Sequence, residues 1–157
     1  TSTCARRGAR PSPRRPLRRG CRSSCSAPRV PAFDLFARLM DERVFEGRLH
    51  GDISAVFQRN REPDVWRAVL QRGRAGGPWQ GRLLHGSDYP LPGLKWLTSL
   101  PRLREAGLLD ERHEAPLEAL REHNPLLFDL ALKRLLAEGG APLAREVFAT
   151  RRHFSTA

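Results

Sequence analysis

Two short β-compatible segments with one amphipathic helix between them constrain the fold of this chain more than any other feature. The segments are 48–53 (RLHGDI) and 81–88 (GRLLHGSD), and residues 62–72 (EPDVWRAVLQR) place their apolar side chains at helical spacing. A strand, a helix and a second strand in this order form a βαβ unit, whose two strands lie parallel. The sequence therefore predicts an α/β fold.

Further helices are predicted on both sides of this unit. Residues 124–138 give the clearest pattern, with Asn124 as N-cap and a Gly-Gly pair at 139–140 as the stop. Lys133 is expected to point outward near the end of that helix. The other predicted helical segments are 33–43, 94–106 and 114–122.

Positive charge is concentrated at the start of the chain. The sequence of 157 residues has 28 Lys+Arg against 17 Asp+Glu, which gives a formal net charge of +11. Nine of the arginines and none of the acidic residues lie in residues 1–30, so residues 31–157 carry 19 basic and 17 acidic side chains. The excess charge therefore belongs to the first segment, and the rest of the chain is nearly neutral.

Residues 1–30 consist almost entirely of Arg, Ser, Pro, Gly, Ala and Cys, with Leu17 and Val30 as the large aliphatic side chains. This segment cannot bury enough apolar surface to offset the entropy lost on ordering, so we expect it to be disordered. Three interpretations stay open: a basic arm that binds phosphate backbones or acidic lipid, an inert tail, and GC-rich DNA translated in the wrong frame. No aromatic residues alternate with the arginines, so the stacking surface of a single-strand-binding protein is missing.

All three cysteines, Cys4, Cys21 and Cys25, lie in the same segment. No His or Cys spacing around them matches a zinc or haem motif, and their odd number argues against a disulfide framework. The longest apolar runs of the chain are far shorter than the ~18 residues that span a bilayer. We therefore expect a cytoplasmic protein that is neither a membrane protein nor a disulfide-stapled secreted domain.

Asp88 is the first candidate for a functional residue. It ends the second predicted strand, and in parallel α/β proteins the active site lies beyond the carboxyl ends of the strands. Gly86 allows a close approach of the backbone, and the proline-containing loop after Asp88 limits motion. A carboxylate held in this way suits a metal ligand or a general base. On spacing alone, a role as an N-cap or loop-bracing residue is favoured.

The other polar residues near the strand ends are weaker candidates. Asp52 either faces the same site or hydrogen-bonds loop amides, and the second role is favoured. His85 alternates to the face opposite Asp88, which favours a packed histidine between layers. His50 shares a face with Asp52 and is a candidate for supporting it. The remaining residues considered have no supporting motif: Ser54, Ser87, His113, His123 and His153.

The runs LHGDISAV, RLLHGSDYPLPG and HNPLLFDLALKRLL resemble the C-terminal part of the amidohydrolase-related branch of the amidohydrolase superfamily. The similarity covers about residues 31–150 and is carried chiefly by GSDYP and NPLLFD in that order. In that family the fold is a (β/α)8 barrel. The resemblance implies that LHGDIS is the seventh strand, that RLLHGSD is the eighth, and that 124–138 is a closing helix.

The resemblance also implies a chemistry for Asp88. In the family, the aspartate that ends the eighth strand binds or adjoins a divalent metal, often zinc, and helps to activate the hydrolytic water. This makes Asp88 the expected metal ligand and catalytic residue. The family's other metal-site residues, a His-x-His on the first strand and single histidines on the fifth and sixth, have no counterpart in this sequence. His85 also stands where an apolar or aromatic residue is expected.

Length limits how much of such a barrel the chain contains, since a complete barrel takes roughly 250 residues. We therefore expect the C-terminal fragment of a TIM-type barrel, with a disordered basic segment over 1–30 and a partial barrel domain over 31–157. Its unpaired sheet edges favour aggregation. The fragment is expected to be inactive alone, whereas the complete enzyme hydrolyses a small-molecule substrate or, as some relatives do, decarboxylates it. The less favoured alternative is a basic-arm protein that binds nucleic acid or another acidic surface on a non-catalytic scaffold.

Overall fold

The computed structural model describes residues 31–154. Its helices are α1 (Pro31–Asp41), α2 (Pro63–Gly73), α3 (Leu100–Glu105), α4 (Glu114–His123), α5 (Pro125–Leu135) and α6 (Arg151–Phe154). Its strands are β1 (Gly51–Asp52), β2 (Leu83–Leu84), β3 (Ala137–Glu138) and β4 (Ala141–Pro142). The predicted disordered segment 1–30, with its three cysteines, lies outside the described residues, and the basic-arm alternative that depends on it stays a prediction.

β1 and β2 form the parallel pair that the sequence predicts. Gly51 lies opposite Leu83, and Asp52 lies opposite Leu84. α2 connects the two strands, and its bounds differ by one residue at each end from the predicted 62–72. Because the strands are parallel neighbours, their carboxyl ends lie side by side at one edge of the sheet.

Both strands are shorter than the predicted 48–53 and 81–88, since each has two residues. The chain turns directly after β1, where the Asp52 Oδ1 atom accepts the backbone N–H of Ser54 at 2.8 Å. A turn of this kind competes with the extended conformation. The polar residues that follow each strand therefore lie in loops at the carboxyl end of the sheet.

Buried apolar side chains from the helices and both strands form one core. Leu83 comes from β2 and Ile53 directly follows β1, and Trp66 and Leu70 come from α2. Burial of a side chain of this size contributes about 1.5–3 kcal/mol to stability. Further members of the core are Phe57, Val69, Trp79, Leu100, Leu103, Leu108, Leu117, Phe128, Leu132, Leu136 and Val147. α5 packs against α4 and contributes Phe128 and Leu132 to the core.

α5 begins where the sequence predicts and ends earlier. The side chain of Asn124 caps it by accepting a first-turn backbone N–H at 3.0 Å. The helix ends at Leu135, three residues before its predicted end. Gly139 and Gly140, with φ of 59° and 78°, form the turn between β3 and β4. Two left-handed residues are typical of a tight hairpin loop, so the prediction of a helix stop at this pair is wrong.

The remaining predicted helices agree in place and differ in their bounds. The segment 33–43 corresponds to α1, which begins and ends two residues earlier, and 114–122 corresponds to α4. The patch 94–106 contains α3, which Ser99 caps and in which Pro101 lies in the first turn, where a helix needs no N–H donor. Within residues 31–154, no helix has the length and apolar character needed to cross a membrane.

Candidate functional site at the strand ends

A buried lysine lies at the carboxyl ends of the two parallel strands. The Lys133 Nζ atom donates hydrogen bonds to Gly86 O at 2.7 Å, to Ser54 O at 3.3 Å and to Asp129 Oδ2 at 2.7 Å. Its side chain is only 1% exposed. The prediction that Lys133 points outward is therefore wrong, because the amine finds its acceptors inside the protein.

The sequence of α5 explains how a lysine reaches this position. Phe128, Asp129, Leu132 and Lys133 are all buried and therefore share the inward face of the helix. The spacing of four residues between Asp129 and Lys133 places an acid and a base one turn apart on that face. The sequence signal for this buried ion pair is that Asp129 and Lys133 each directly follow a large apolar residue, Phe128 and Leu132. The rule that charged residues face solvent hides that signal.

His85 joins the cluster through the same carboxylate. Its Nε2 atom lies 3.1 Å from Asp129 Oδ2, so one oxygen of Asp129 serves both His85 and Lys133. The His85 ring also packs against Phe148, with ring centroids 5.5 Å apart. The structure confirms the prediction of a histidine between layers, since His85 follows the sheet and contacts a helix.

The surroundings of Lys133 fit the charged form of its amine. Burial lowers the pKa of Lys133 from its ordinary value, and Asp129 opposes that effect through its charge and its hydrogen bond. Asp52 and Asp88 also favour the charged amine through their own charges. Three oxygen acceptors surround Nζ, which matches the three N–H donors of an ammonium group and exceeds the two of a neutral amine.

Asp88 is exposed and lies in the loop four residues after the end of β2. The prediction that it is the last residue of the strand is therefore wrong, because β2 ends at Leu84. Among residues 31–154, Asp88 is the one non-glycine residue with a left-handed backbone, with φ of 50°. Its carbonyl oxygen accepts the N–H of Leu91 at 2.9 Å, which closes the turn. The carboxylate is therefore presented to solvent on a constrained loop at the end of the sheet where parallel α/β proteins bind ligands.

Asp52 braces the loops, as the sequence favours. In addition to its hydrogen bond to Ser54, its carboxylate packs against the backbone of Gly86. A Cβ atom placed on Gly86 would lie 2.7 Å from Asp52 Oδ1 and 2.8 Å from Oδ2. The glycine thus permits the close approach that the sequence predicts, and it brings the two strand ends together.

The other candidate residues fall into different surroundings. The ring of His50 packs against that of His153, with centroids 4.9 Å apart, so that it contacts α6 instead of supporting Asp52. Ser87 lines a shallow cleft together with His85. His113 lies directly before α4, and His123 is exposed at the end of that helix. None of these placements gives the residue a role at the strand ends comparable to that of Lys133.

An apolar cleft of about 280 Å³ lies beside β1 and shares Asp52 and Ser54 with the strand-end cluster. It is bordered by α1, by α2 and by the loop that follows β1. Its apolar lining includes Phe33, Phe36, Ile53, Val56, Val65 and Leu83. Ile53, Val65 and Leu83 are buried at its base, whereas Phe33, Phe36 and Val56 are only half-buried next to the parallel pair.

No family model, curated protein or solved structure matches this chain. The resemblance carried by GSDYP and NPLLFD therefore stays a prediction. The function has to be argued from the residues at the strand ends and from their geometry.

Proposed function

We propose that this chain is the C-terminal part of a metal-dependent hydrolase with a (β/α)8 barrel, in which Asp88 is a metal ligand and a catalytic residue. The observation that carries the proposal is the parallel β1–β2 pair, joined by α2 and followed at its carboxyl end by Asp52 and Asp88. Barrels of this type place their active sites at that end. Asp88 carries an exposed carboxylate on a left-handed backbone. Backbone conformations of this kind cost free energy in non-glycine residues and cluster at functional sites.

The residues of the described part of the chain do not by themselves fit a divalent metal. Among them, no group of three or more His, Cys, Asp or Glu residues is placed to hold an ion. Catalytic zinc sites use three protein ligands, and zinc is the metal that the resemblance favours. In this proposal Asp88 supplies one ligand and a part of the enzyme outside residues 31–154 supplies the others, so the fragment is inactive alone.

The apolar cleft beside β1 supports the proposal from a second direction. Phe33 and Phe36 of α1 line it on one side, and Ile53 lines it next to the strand. Apolar side chains around a cavity of about 280 Å³ are usually covered by another element or by a ligand. A further strand of the barrel, packed between α1 and β1, would cover them in the complete enzyme.

Metal-dependent turnover by the complete enzyme tests this proposal. The chain would be expressed together with the coding sequence that precedes it at its locus, and assayed on amide, ester and lactone substrates with and without zinc. Release of CO₂ from carboxylated substrates would be measured in parallel. We expect hydrolysis that a chelator removes and that Asp88→Asn abolishes, because the amide cannot replace the carboxylate as an anionic ligand.

Asp110→Asn is the matched control. Asp110 is also exposed, and it caps the short helix Glu111–His113, away from the strand ends in the sequence. This variant should keep the wild-type rate. Hydrolysis that survives Asp88→Asn would contradict the role of Asp88, and a complete protein that releases CO₂ without hydrolysing any substrate would contradict the hydrolase class.

A further inference from the structure

We infer that Lys133 is a positioning residue, whose ammonium group ties the carboxyl end of β1 to that of β2 and thereby sets the turn that presents Asp88. The inference rests on the proposed function only for the task of Asp88. We refer to Lys133, Asp129 and the carbonyl groups of Ser54 and Gly86 as the strand-end clamp. This clamp is a property of the chain itself and does not depend on catalysis.

The acceptors of Lys133 come from three separate parts of the chain. Gly86 O lies two residues after β2, Ser54 O lies two residues after β1, and Asp129 lies on α5. One ammonium group thus connects both strand ends to the helix that covers them. Each of these bonds involves a charged donor, which makes it stronger than a bond between neutral groups.

The clamp acts on Asp88 through the backbone. Gly86, whose carbonyl accepts the shortest of the backbone bonds to Lys133, stands two residues before Asp88. The turn between them leads into the left-handed conformation of Asp88, which L-residues rarely adopt unless their surroundings hold them there. Fixing the Gly86 carbonyl therefore limits where the Asp88 carboxylate can lie.

The side of the clamp that faces β1 is braced in the same way. Asp52, at the end of β1, packs against Gly86 and holds the N–H of Ser54, whose carbonyl is the weakest of the three acceptors. Asp129 also holds His85 through the oxygen that it presents to Lys133. Asp52, Asp88 and Asp129 all act on Lys133 through their negative charges.

Backbone amide chemical shifts of the full 157-residue chain test this inference. The wild type would be compared with Lys133→Met, which removes the charge and keeps the length of the side chain. Arg121→Met, which removes another buried cation, from α4, is the matched control. We expect Lys133→Met to displace the amides of residues 54–56 and 86–88 more than any others outside α5, and Arg121→Met to leave them in place.

Loss of the bond to Gly86 O would by itself shift the amide that follows it, Ser87, so the displacement that carries the inference is the one at Asp88. Equal displacement of both groups of amides by the two variants, or no displacement of the Asp88 amide by Lys133→Met, would overturn the inference. The measurement of amide shifts needs neither a metal nor a substrate. Displaced amides in a chain whose complete enzyme is inactive would therefore count against the hydrolase alone, and an active enzyme with undisturbed amides would count against the clamp alone.

A second measurement covers the case in which Lys133→Met fails to fold. In the wild-type chain, the ammonium of Lys133 should give a slowly exchanging ¹⁵N–¹H signal with hydrogen-bond scalar coupling to the carbonyl carbon of Gly86. This coupling requires the bond itself, at the 2.7 Å separation found here. A Lys133 amine that exchanges as fast as those of exposed lysines, without the coupling, would overturn the inference.

Discussion

Lys133 on α5 and Arg121 on α4 are both buried cations, yet their surroundings differ. Lys133 bonds to three oxygens from three separate parts of the chain. Arg121 donates one hydrogen bond to Thr98 O at 3.0 Å, pairs with Glu118 on its own helix at 3.4 Å, and stacks over Phe128. Its Nε atom is buried and has no hydrogen-bond partner among residues 31–154.

The difference shows what distinguishes a buried charge that organises a site from one that fills space. Arg121 uses the flat face of its guanidinium for packing on Phe128 and leaves part of its bonding capacity unused. Lys133 uses every donor that it has, and its partners are the strand ends themselves. Burial alone therefore does not distinguish Lys133 from Arg121, whereas the origin of its partners does.

The largest expected effect is the loss of stability when each of the two cations is removed. Lys133→Met leaves the buried Asp129 without its cation, so the free energy of unfolding should fall by about 3–5 kcal/mol. Arg121→Met should cost about 1–2 kcal/mol, because the methionine still packs on Phe128 and Glu118 keeps its ion pair with Lys95. Urea denaturation of the two variants and the wild type measures both values. Equal losses would remove the distinction between the two cations.

A smaller effect is expected in the pH dependence of stability, to which Lys133 contributes. Burial lowers the pKa of Lys133 below its ordinary value of 10.5, whereas the unfolded chain restores that value. Between the two values the unfolded state binds more protons, so the contribution of Lys133 to stability rises as the pH rises through this window. Below the window, both states are protonated and this contribution is constant. The charges that face Lys133 from β1, β2 and α5 are those of Asp52, Asp88 and Asp129.

The measurement is the difference in unfolding free energy between the wild type and Lys133→Met at several alkaline pH values. Groups whose surroundings are the same in both proteins cancel in that difference. The difference should change in favour of the wild type as the pH increases toward 10.5. A difference that stays flat or moves the other way would mean that burial does not dominate the environment of Lys133.

Sequence reasoning recovers the elements whose signals are local. The βαβ unit follows from apolar spacing, and the start of α5 follows from Asn124, whose side chain caps the helix. The Gly-Gly pair at 139–140 misleads, because left-handed glycines are as typical of a hairpin turn as of a helix end. The strands end early since their length depends on partners that a linear pattern does not show.

In the candidate site, too, some residues are positioned by neighbours in the sequence and others by distant parts of the chain. The sequence places Asp88 near the carboxyl end of the sheet, but at the end of the strand instead of in the loop after it, whereas the close approach at Gly86 is predictable. Lys133 is not, because its acceptors lie 79 and 47 residues away along the chain. A helical pattern assigns a charged residue to the surface unless its neighbours show otherwise. Here the neighbours do so, because Asp129 and Lys133 each follow a large apolar residue on the same face of α5.

The smallest expected effect is a stability difference between two variants of Asp88, which tests whether the strand-end clamp holds the backbone of this residue. At φ of 50°, alanine is strained and glycine is not, so Asp88→Ala should be less stable than Asp88→Gly by about 1 kcal/mol. If Lys133 fixes the turn, this gap should shrink in a Lys133→Met background, because the released turn can leave the left-handed region. The four variants form a double-mutant cycle that urea denaturation can resolve. A gap of the same size in both backgrounds would show that the loop after β2 sets the conformation of Asp88 without Lys133.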